Sequence, residues 1–398
     1  MDFDLSDEQR LFQSSFREWC DKNLVPRSRE IDSKHRIPDD VIDGLAEQGI
    51  FGLGISEEFG GSNASILTCA LAVEEVARGD ISVATAVLTL LNIGWSNMIS
   101  RHGHPDLKAA ILPNVAKAKN ICGIATTEPK GGSDLANIAS TAVRKGDQWV
   151  CNGEKVYISE IRETLERGGG YCTLLRTDPA AGTKGMSFVF VPLSAPGIHT
   201  TVIHNMGRMG LSTGGYVMND TPIPLNYTLG EINNGFKLAM EGFNIARILV
   251  AAACLGCAER ALELGSAHIK TRKLFGQPIG KFEGISFEFA DFEAMLHASR
   301  LLVYRAAWTA DQYLAGKKDI HQLALASAMS KLVAPVDCYK IADGVMTWFG
   351  ALGYSQECDI EMGVRGVRSY SVGAEGAQNV MRMILIRELL GEEFLPYK

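Results

Sequence analysis

Among the 398 residues, the segment Thr126-Thr127-Glu128-Pro129-Lys130-Gly131-Gly132-Ser133-Asp134 carries residue types able to do chemistry at close range. Hydroxyls, paired glycines and a stiffening proline let backbone N–H groups approach an anion or a flat polar ring. A plain glycine-rich turn would share that composition. Other groupings narrow the chemistry by what they lack. The chain has no G-x-x-x-x-G-K-[ST] phosphate loop and no H-E-x-x-H metal helix, and Gly52-Leu53-Gly54 lacks the third glycine of a dinucleotide fingerprint. Cys254 and Cys257 form C-x-x-C inside the apolar run Ile248 to Leu264, with no second pair, and read as small core residues. His102-Gly103-His104 reads as a loop or helix-end pair, so no metal site is expected.

The elements that must position these residues follow from hydrophobic spacing. Ser6 to Gln9 forms an S-x-x-Q capping box ahead of Leu11, Phe12, Phe16 and Trp19, which share one helical face. Pro38 before Val41, Ile42 and Leu45 starts another helix, Gly49 to Gly61 reads as loop, and helical patterns run roughly from Ile66 to Ala77, Ser82 to Ser100 and Pro105 to Ala118. From Ile121 to about Thr228 the texture changes to short apolar runs between turn residues. Strands are predicted at Trp149 to Ile158, with a turn at Asn152-Gly153 inside it, and at Tyr171 to Arg176, Ser187 to Val191 and Ile198 to His204. Helical spacing returns at Gly235, as in Ile285, Phe289, Phe292 and Leu296. The chain therefore divides into helical residues 1–120, a β unit at 121–232 and helical residues 233–398. Connections are short, so the three units should pack together.

Composition excludes several partners. Apolar residues make up 46% and charged residues 21%, and 39 Lys and Arg against 46 Asp and Glu leave a net charge of −7. That balance gives no broad electrostatic footprint for nucleic acid or an anionic membrane. No unbroken run of apolar residues reaches a membrane-spanning length, and Met1 to Arg10 lacks the basic and apolar regions of a secretory signal. Nine cysteines without framework spacing fit reduced thiols. A cytoplasmic protein is expected.

Further groupings follow the first loop in order: Gly153-Glu154-Lys155-Val156-Tyr157-Ile158-Ser159, then Arg272-Lys273-Leu274-Phe275-Gly276-Gln277-Pro278-Ile279, Phe349-Gly350-Ala351-Leu352-Gly353-Tyr354, and Glu375-Gly376. Taken in this order within an α-β-α texture, they resemble the acyl-CoA dehydrogenase family of flavoproteins. The resemblance runs from Phe3-x-Leu5-x-x-Glu8-Gln9 to Arg387-Glu388-Leu389-Leu390. It implies an α+β fold: an N-terminal all-α domain, a middle antiparallel β-barrel-like domain and a C-terminal four-helix bundle.

The resemblance also implies an FAD site. Thr127 would meet the pyrimidine edge, with Gly132 and Ser133 in the same loop; Tyr157 would stack beside the ring and the Ser159 hydroxyl would reach flavin N5. Arg272 and Phe275 would hold the pyrophosphate and adenine across a subunit interface, in company with Thr347, where a Gln is usual, and Ala351. At least a dimer follows, and a homotetramer is the common state. For the substrate, Arg247 would supply a cation to the nucleotide end of CoA, Asn244 would replace the usual acid, and Ser133 would face the pantetheine or phosphate side. Thr85, Leu88 and Leu91 on the Ser82 to Ser100 helix carry no charge, so an apolar acyl group is expected.

Removing a thioester α-proton while a hydride leaves Cβ demands a carboxylate in a desolvated pocket and donors to the thioester oxygen. Of the two base positions the family uses, one falls on Ala246, which cannot act. Glu375 falls in register with the other when counted back from Arg382 and Arg387, but one residue out when counted forward from Arg365. Ala374 and Ala377 replace an aromatic residue and a Thr around it, and Gly376 follows it in the substrate site. The expected reaction is dehydrogenation of an acyl-CoA to its 2,3-enoyl-CoA, with Glu375 taking the α-proton and flavin N5 the hydride. The Glu375 N–H and a ribityl hydroxyl would hold the thioester oxygen, and an electron-transferring flavoprotein would accept the electrons. Alternatives are an enoyl-CoA reductase, a 1,4-eliminating cyclic acyl-CoA dehydrogenase, or a non-catalytic homologue that binds a partner. The inserted stretch Glu160 to Gly170 reads as a solvated surface loop, with a lid as the other reading.

Overall fold

A serine begins the first helix. In the computed structural model, which describes residues 4–396, Ser6 caps α1 (Asp7–Asn23): its side chain accepts from the Gln9 amide while its own amide donates to the Gln9 side chain. Phe3 of the opening motif lies outside the described residues. A short helix α2 (Ser28–Ser33), which the spacing did not predict, precedes α3 (Asp39–Glu47). The Gly49 to Gly61 connection contains two 3-10 turns, and α4 (Ile66–Gly79), α5 (Ala84–His102) and α6 (Pro105–Val115) follow. Helix α5 is buried on every side from Ala84 to Ile99, and His104 caps α6 by accepting from the Asp106 amide.

The middle unit contains β1 (Ile121–Ala125), β2 (Thr141–Lys145), β3 (Gln148–Ser159), a helix α7 (Ile161–Arg167), β4 (Gly169–Arg176), β5 (Met186–Pro192), β6 (Ile198–Ile203), β7 (Thr213–Pro224) and β8 (Thr228–Leu229). They form one sheet in the order β6-β7-β3-β2-β4-β5-β8, with β1 beside β4. The sheet is mixed rather than purely antiparallel: β1 pairs with β4 in parallel, because α7 carries the chain back to the end at which β1 began. The turn predicted at Asn152-Gly153 is instead a bulge within β3, where the register shifts between Cys151 and Gly153. A Cβ on Gly153 would come within 2.4 Å of the Ser140 hydroxyl, so strand contact, not chain reversal, requires this glycine. Asn152 and Asp220 bond each other across the bulge at 3.0 and 2.9 Å.

The Glu160 to Gly170 stretch is not a solvated loop. Ile161 and Thr164 bury one face of α7, and the Thr164 and Tyr171 hydroxyls lie 3.0 Å apart. Its charges reach the N-terminal helices: Arg162 donates to the His35 carbonyl, and Arg167 pairs with Asp39 and Asp43 at 2.7 and 2.6 Å. The insertion thus brackets the sheet to α3.

Five helices complete the chain: α8 (Gly235–Thr271), α9 (Glu283–Leu314), α10 (Ile320–Trp348), α11 (Ile360–Val372) and α12 (Gln378–Leu389). Between α8 and α9 lies a small hairpin of β9 (Lys273–Leu274) and β10 (Gln277–Pro278). By length and composition α8 could cross a membrane, yet its apolar stretch is almost wholly buried, for it is the spine against which α4, α5, α9, α10 and α11 pack. Cys254 and Cys257 are buried on it. A network of charges ties its flank to α1, α4 and α9. Arg300 bonds Glu74 at 2.8 Å, and Arg17 bonds both Glu75 and Glu259 at 2.8 Å. Burial pushes Glu74 up to about 7 against the pull of Arg300.

The spine sits close to α4 because position 256 has no side chain. A Cβ there would lie 1.9 Å from the Glu74 carbonyl oxygen, a backbone atom unable to turn aside. Gly256→Ala is expected to force the helices apart and cost about 2–3 kcal/mol, measured as a lower urea midpoint at constant slope. An unchanged midpoint would show that the crossing relaxes freely.

Candidate active site

A cavity of about 720 Å³ opens where the sheet, α5, α8 and the junction of α11 with α12 meet. One wall is the loop after β1, and buried charge holds that loop in shape. Lys155 is fully buried and donates to Glu128 at 2.8 Å and to the Thr126 carbonyl at 3.3 Å. Glu128 also accepts from the Ala139 and Ser140 amides. Burial draws the Lys155 amine down to about 8 despite Glu128, and burial of Glu128 is outweighed by Lys155, which holds its carboxyl below the usual range. A Cβ on Gly132 would press within 3.2 Å of Thr127, so the loop folds tightly there. Next to it β3 shifts register between Val156 and Ile158; Tyr157, at φ 58°, is thereby turned into the cavity and is 67% exposed. Thr127, Gly132, Ser133, Tyr157 and Ser159 all line this wall.

The opposite wall carries Glu375. Helix α11 ends at Val372, and a short junction leads to α12. Ala374, Glu375 and Gly376 run through left-handed backbone at φ 48°, 48° and 107° before α12 begins. Two non-glycine residues in that region cost about 1–3 kcal/mol each, and cations compensate. The fully buried Lys331 ammonium donates to the carbonyls of Tyr370, Gly373 and Gly376 at 2.6, 3.1 and 3.0 Å, and Arg247 donates to the Glu375 carbonyl at 3.0 Å. Glu375 keeps some exposure to the open cavity while its carboxyl lies deep among protein atoms. Burial raises that carboxyl to about 7 against the pull of Arg247, Lys331 and Arg208. Burial also lowers Lys331 to about 8 and Arg247 to about 10.

Several sequence expectations need correction here. Arg247 is not a free cation for a distant phosphate: it is buried under the Glu375 turn, and its other bond is to Asn244 at 2.8 Å. Asn244 does not line the cavity; it supports Arg247 and accepts from the Ser327 hydroxyl. Leu88 is buried but turned away, because Val87, Leu90 and Leu91 occupy the face of α5 toward the cavity. Thr85 is spent on the buried Asp80 carboxylate. The walls also contain a charge, Arg208, from the connection between β6 and β7. Spacing could not have found it, although a lone cation between Gly207 and Gly210 is a signal. Lys331 was also missed, and its signal was a single cation in the apolar helical run Ala324 to Val333.

Arg272, Phe275, Thr347 and Ala351 gather elsewhere. Stacking of His268 on Phe349, with ring centroids 3.9 Å apart, brings the ends of α8 and α10 together, and all four residues are exposed around them. Arg272 lies 25 residues beyond Arg247, so the rise of α8 separates the two by about 37 Å. The four cannot reach the cavity of their own chain.

A buried carboxylate facing a wall of hydroxyl, aromatic and glycine-loop residues is an arrangement able to take a proton from a substrate held beside a flat ring against β3. The chain matches three consecutive family descriptions: acyl-CoA dehydrogenase N-terminal domain at residues 6–119, middle domain at 123–221 and C-terminal domain at 233–390. It belongs to the acyl-CoA dehydrogenase family, as an FAD-dependent oxidoreductase of that class acting on an acyl-CoA thioester. It is 31% identical over 390 residues to a mitochondrial isobutyryl-CoA dehydrogenase of Dictyostelium discoideum, covering 97% of this chain and 90% of that one. It is 32% identical over 397 residues to an acryloyl-CoA reductase (NADH) of Anaerotignum propionicum, covering 98% and 96%. A solved butyryl-CoA dehydrogenase from Megasphaera elsdenii superposes with a TM-score of 0.90 at 30% identity, over 98% of this chain and all of the other. The cavity fits the cofactor: the tight Gly132 turn, the outward Tyr157 and the Ser159 hydroxyl are the features that a flat ring with polar edges requires.

Lys331 ties the Glu375 turn to α10. Lys331→Met keeps the volume and leaves three carbonyls without their donor, which is expected to cost about 3 kcal/mol, read from thermal or urea unfolding. Unchanged stability would mean that the turn holds itself.

Proposed function

We propose that the protein catalyses α,β-dehydrogenation of an acyl-CoA, with Glu375 as the base. The observation that carries this reading is the Glu375 carboxyl, raised by burial to about 7 and facing the Thr127, Tyr157 and Ser159 wall across one cavity. FAD, when bound, supplies the acceptor for the hydride that leaves Cβ. Tyr157 would shield its ring, Thr127 with Gly132 and Ser133 of the same loop would hold its polar edge, and the Ser159 hydroxyl would serve as a donor to it. Glu375 takes the proton from Cα as the double bond forms, and its backbone N–H, beside Gly376, polarises the thioester oxygen. Val87, Leu90, Leu91 and Phe243 exclude water, which keeps the carboxylate basic.

Arg272, Phe275, Thr347 and Ala351 serve the cofactor of a neighbouring copy. Their exposure, with Phe275 94% accessible, and their distance from the cavity of their own chain support a homodimer at least, and a homotetramer in keeping with the family resemblance. An electron-transferring flavoprotein takes the electrons onward. Nine unpaired, buried thiols support a cytoplasmic location. The reverse reaction is a second reading, favoured by the likeness to a relative named as an acryloyl-CoA reductase; it uses the same groups, with Glu375 delivering the proton.

Anaerobic mixing with acyl-CoAs tests the reading. The yellow flavin spectrum of the wild type is expected to bleach, and Glu375→Gln is expected to retain FAD but bleach about 10²–10⁴ times more slowly. Bleaching at the wild-type rate would remove Glu375 as base, and no bleaching by any acyl-CoA would favour the reductive or non-catalytic reading. Because the ionised carboxylate is the base, kcat/KM is expected to rise with pH through about 7 and then level off. A profile flat from pH 5.5 to 8.5 would contradict this assignment.

A further inference from the structure

The cavity holds one cation that the catalytic arrangement leaves unspent. Lys331 is committed to three backbone carbonyls, and Arg247 to the Glu375 carbonyl and Asn244. Arg208 also lines the cavity, yet its Nε is buried without a hydrogen-bond partner. Its guanidinium carbon stands 6.0 Å from the centre of the Tyr370 ring and Arg208 pulls on the Tyr370 hydroxyl, which is buried and has no other hydrogen-bond partner among the described residues. Arg208 thus stands beside Tyr370 in the cavity wall, within electrostatic reach of Glu375. Among the described residues no ion pair reaches it from a carboxylate. The nearest candidates are Glu375, which two other cations attract more strongly, and the fully buried Glu160, whose Oε1 accepts from Asn92 and whose Oε2 has no partner. A guanidinium Nε buried without an acceptor costs free energy until something supplies one.

Resting on the dehydrogenase reading, we propose that Arg208 and the Tyr370 hydroxyl bind a carboxylate at the far end of the acyl group, so that the substrate is the CoA monothioester of a dicarboxylic acid. A guanidinium N–H and a phenol O–H together match the acceptor geometry of a carboxylate. The surrounding apolar wall from α5 and α8 then accommodates the methylenes between carboxylate and thioester. This replaces the apolar acyl group expected from the uncharged residues of α5 alone.

The test compares binding of glutaryl-CoA, adipyl-CoA and hexanoyl-CoA to the FAD-loaded enzyme by anaerobic titration calorimetry on a Glu375→Gln background, where turnover does not intrude, and repeats the panel as flavin bleaching on the parent. The proposal expects one of the two dicarboxylate thioesters to bind tighter than hexanoyl-CoA. Arg208→Gln is expected to lower that preference on the order of ten- to a hundredfold, Tyr370→Phe to lower it severalfold, and Arg208→Lys to restore part of it. Hexanoyl-CoA binding tighter than both dicarboxylates, or a preference insensitive to Arg208→Gln, would overturn the proposal. So would an equal loss for all three ligands accompanied by loss of FAD, which would make Arg208 a cofactor contact. Bleaching by no thioester at all would instead count against the dehydrogenase reading, while the calorimetric preference would still decide the role of Arg208.

Discussion

A carboxylate that removes a proton from carbon must be kept from water and yet remain ionisable near neutral pH. These demands oppose each other, since burial favours the protonated form. At Glu375, the base proposed above, the opposition is met by cations placed around the carboxylate, not on it. Arg247 and Lys331 bond the backbone carbonyls of the turn and attract the carboxylate from a distance, so Glu375 is stabilised without being locked into an ion pair. A direct pair would have lowered its basicity and occupied the oxygen that must reach the substrate.

That arrangement explains the need for a three-part chain. The cations come from α8 and α10, the turn from the junction of α11 and α12, and the facing wall from the sheet. None of these parts could position the others by itself. Helix α8 is the common member: it packs on α4 through Gly256, brings Arg247 under the turn and carries Arg272 to the opposite end of the molecule. The inserted α7 performs a similar service for the sheet, because Arg162 and Arg167 fasten it to the N-terminal helices. Charge within the structure is therefore used mostly for positioning. Glu128 with Lys155 shapes the flavin loop, and Glu74, Glu75 and Glu259 with Arg17 and Arg300 seam four helices together.

Legibility differed by the range of the interaction involved. The Ser6 capping box, the start of α3, the helical stretches of both flanks and the strands β3, β4, β5 and β6 are local consequences of spacing and appeared where the pattern put them, whereas β2 and β7 carried no such signal. Failures occurred where a local signal was overruled from afar. Asn152-Gly153 has turn composition, but β2 and β7 hold it in a strand, and the glycine answers to Ser140. Glu160 to Gly170 has the charge of a surface loop, but its arginines find carboxylates and carbonyls more than a hundred residues away. Leu88 has the right chemistry for a pocket wall and stands on the wrong face of α5, where the width of the cavity admits Val87, Leu90 and Leu91.

The sequence by itself determined the α, β, α order of the three parts, the loop from Thr126 to Asp134, the candidacy of Glu375 and the family to which the chain belongs, because these rest on residue types and on the order of short motifs along the chain. Only the tertiary structure decided what the charges do. Arg247 and Glu375 are 128 positions apart, and Arg208, Lys331 and Tyr370 come from three further elements. Coulombic interaction depends on separation in space and on burial, and neither is a property of spacing along the chain. Arg247 therefore moved from an expected phosphate contact to the support of the Glu375 turn, and Arg208 emerged as a cavity cation with no carboxylate partner among the described residues.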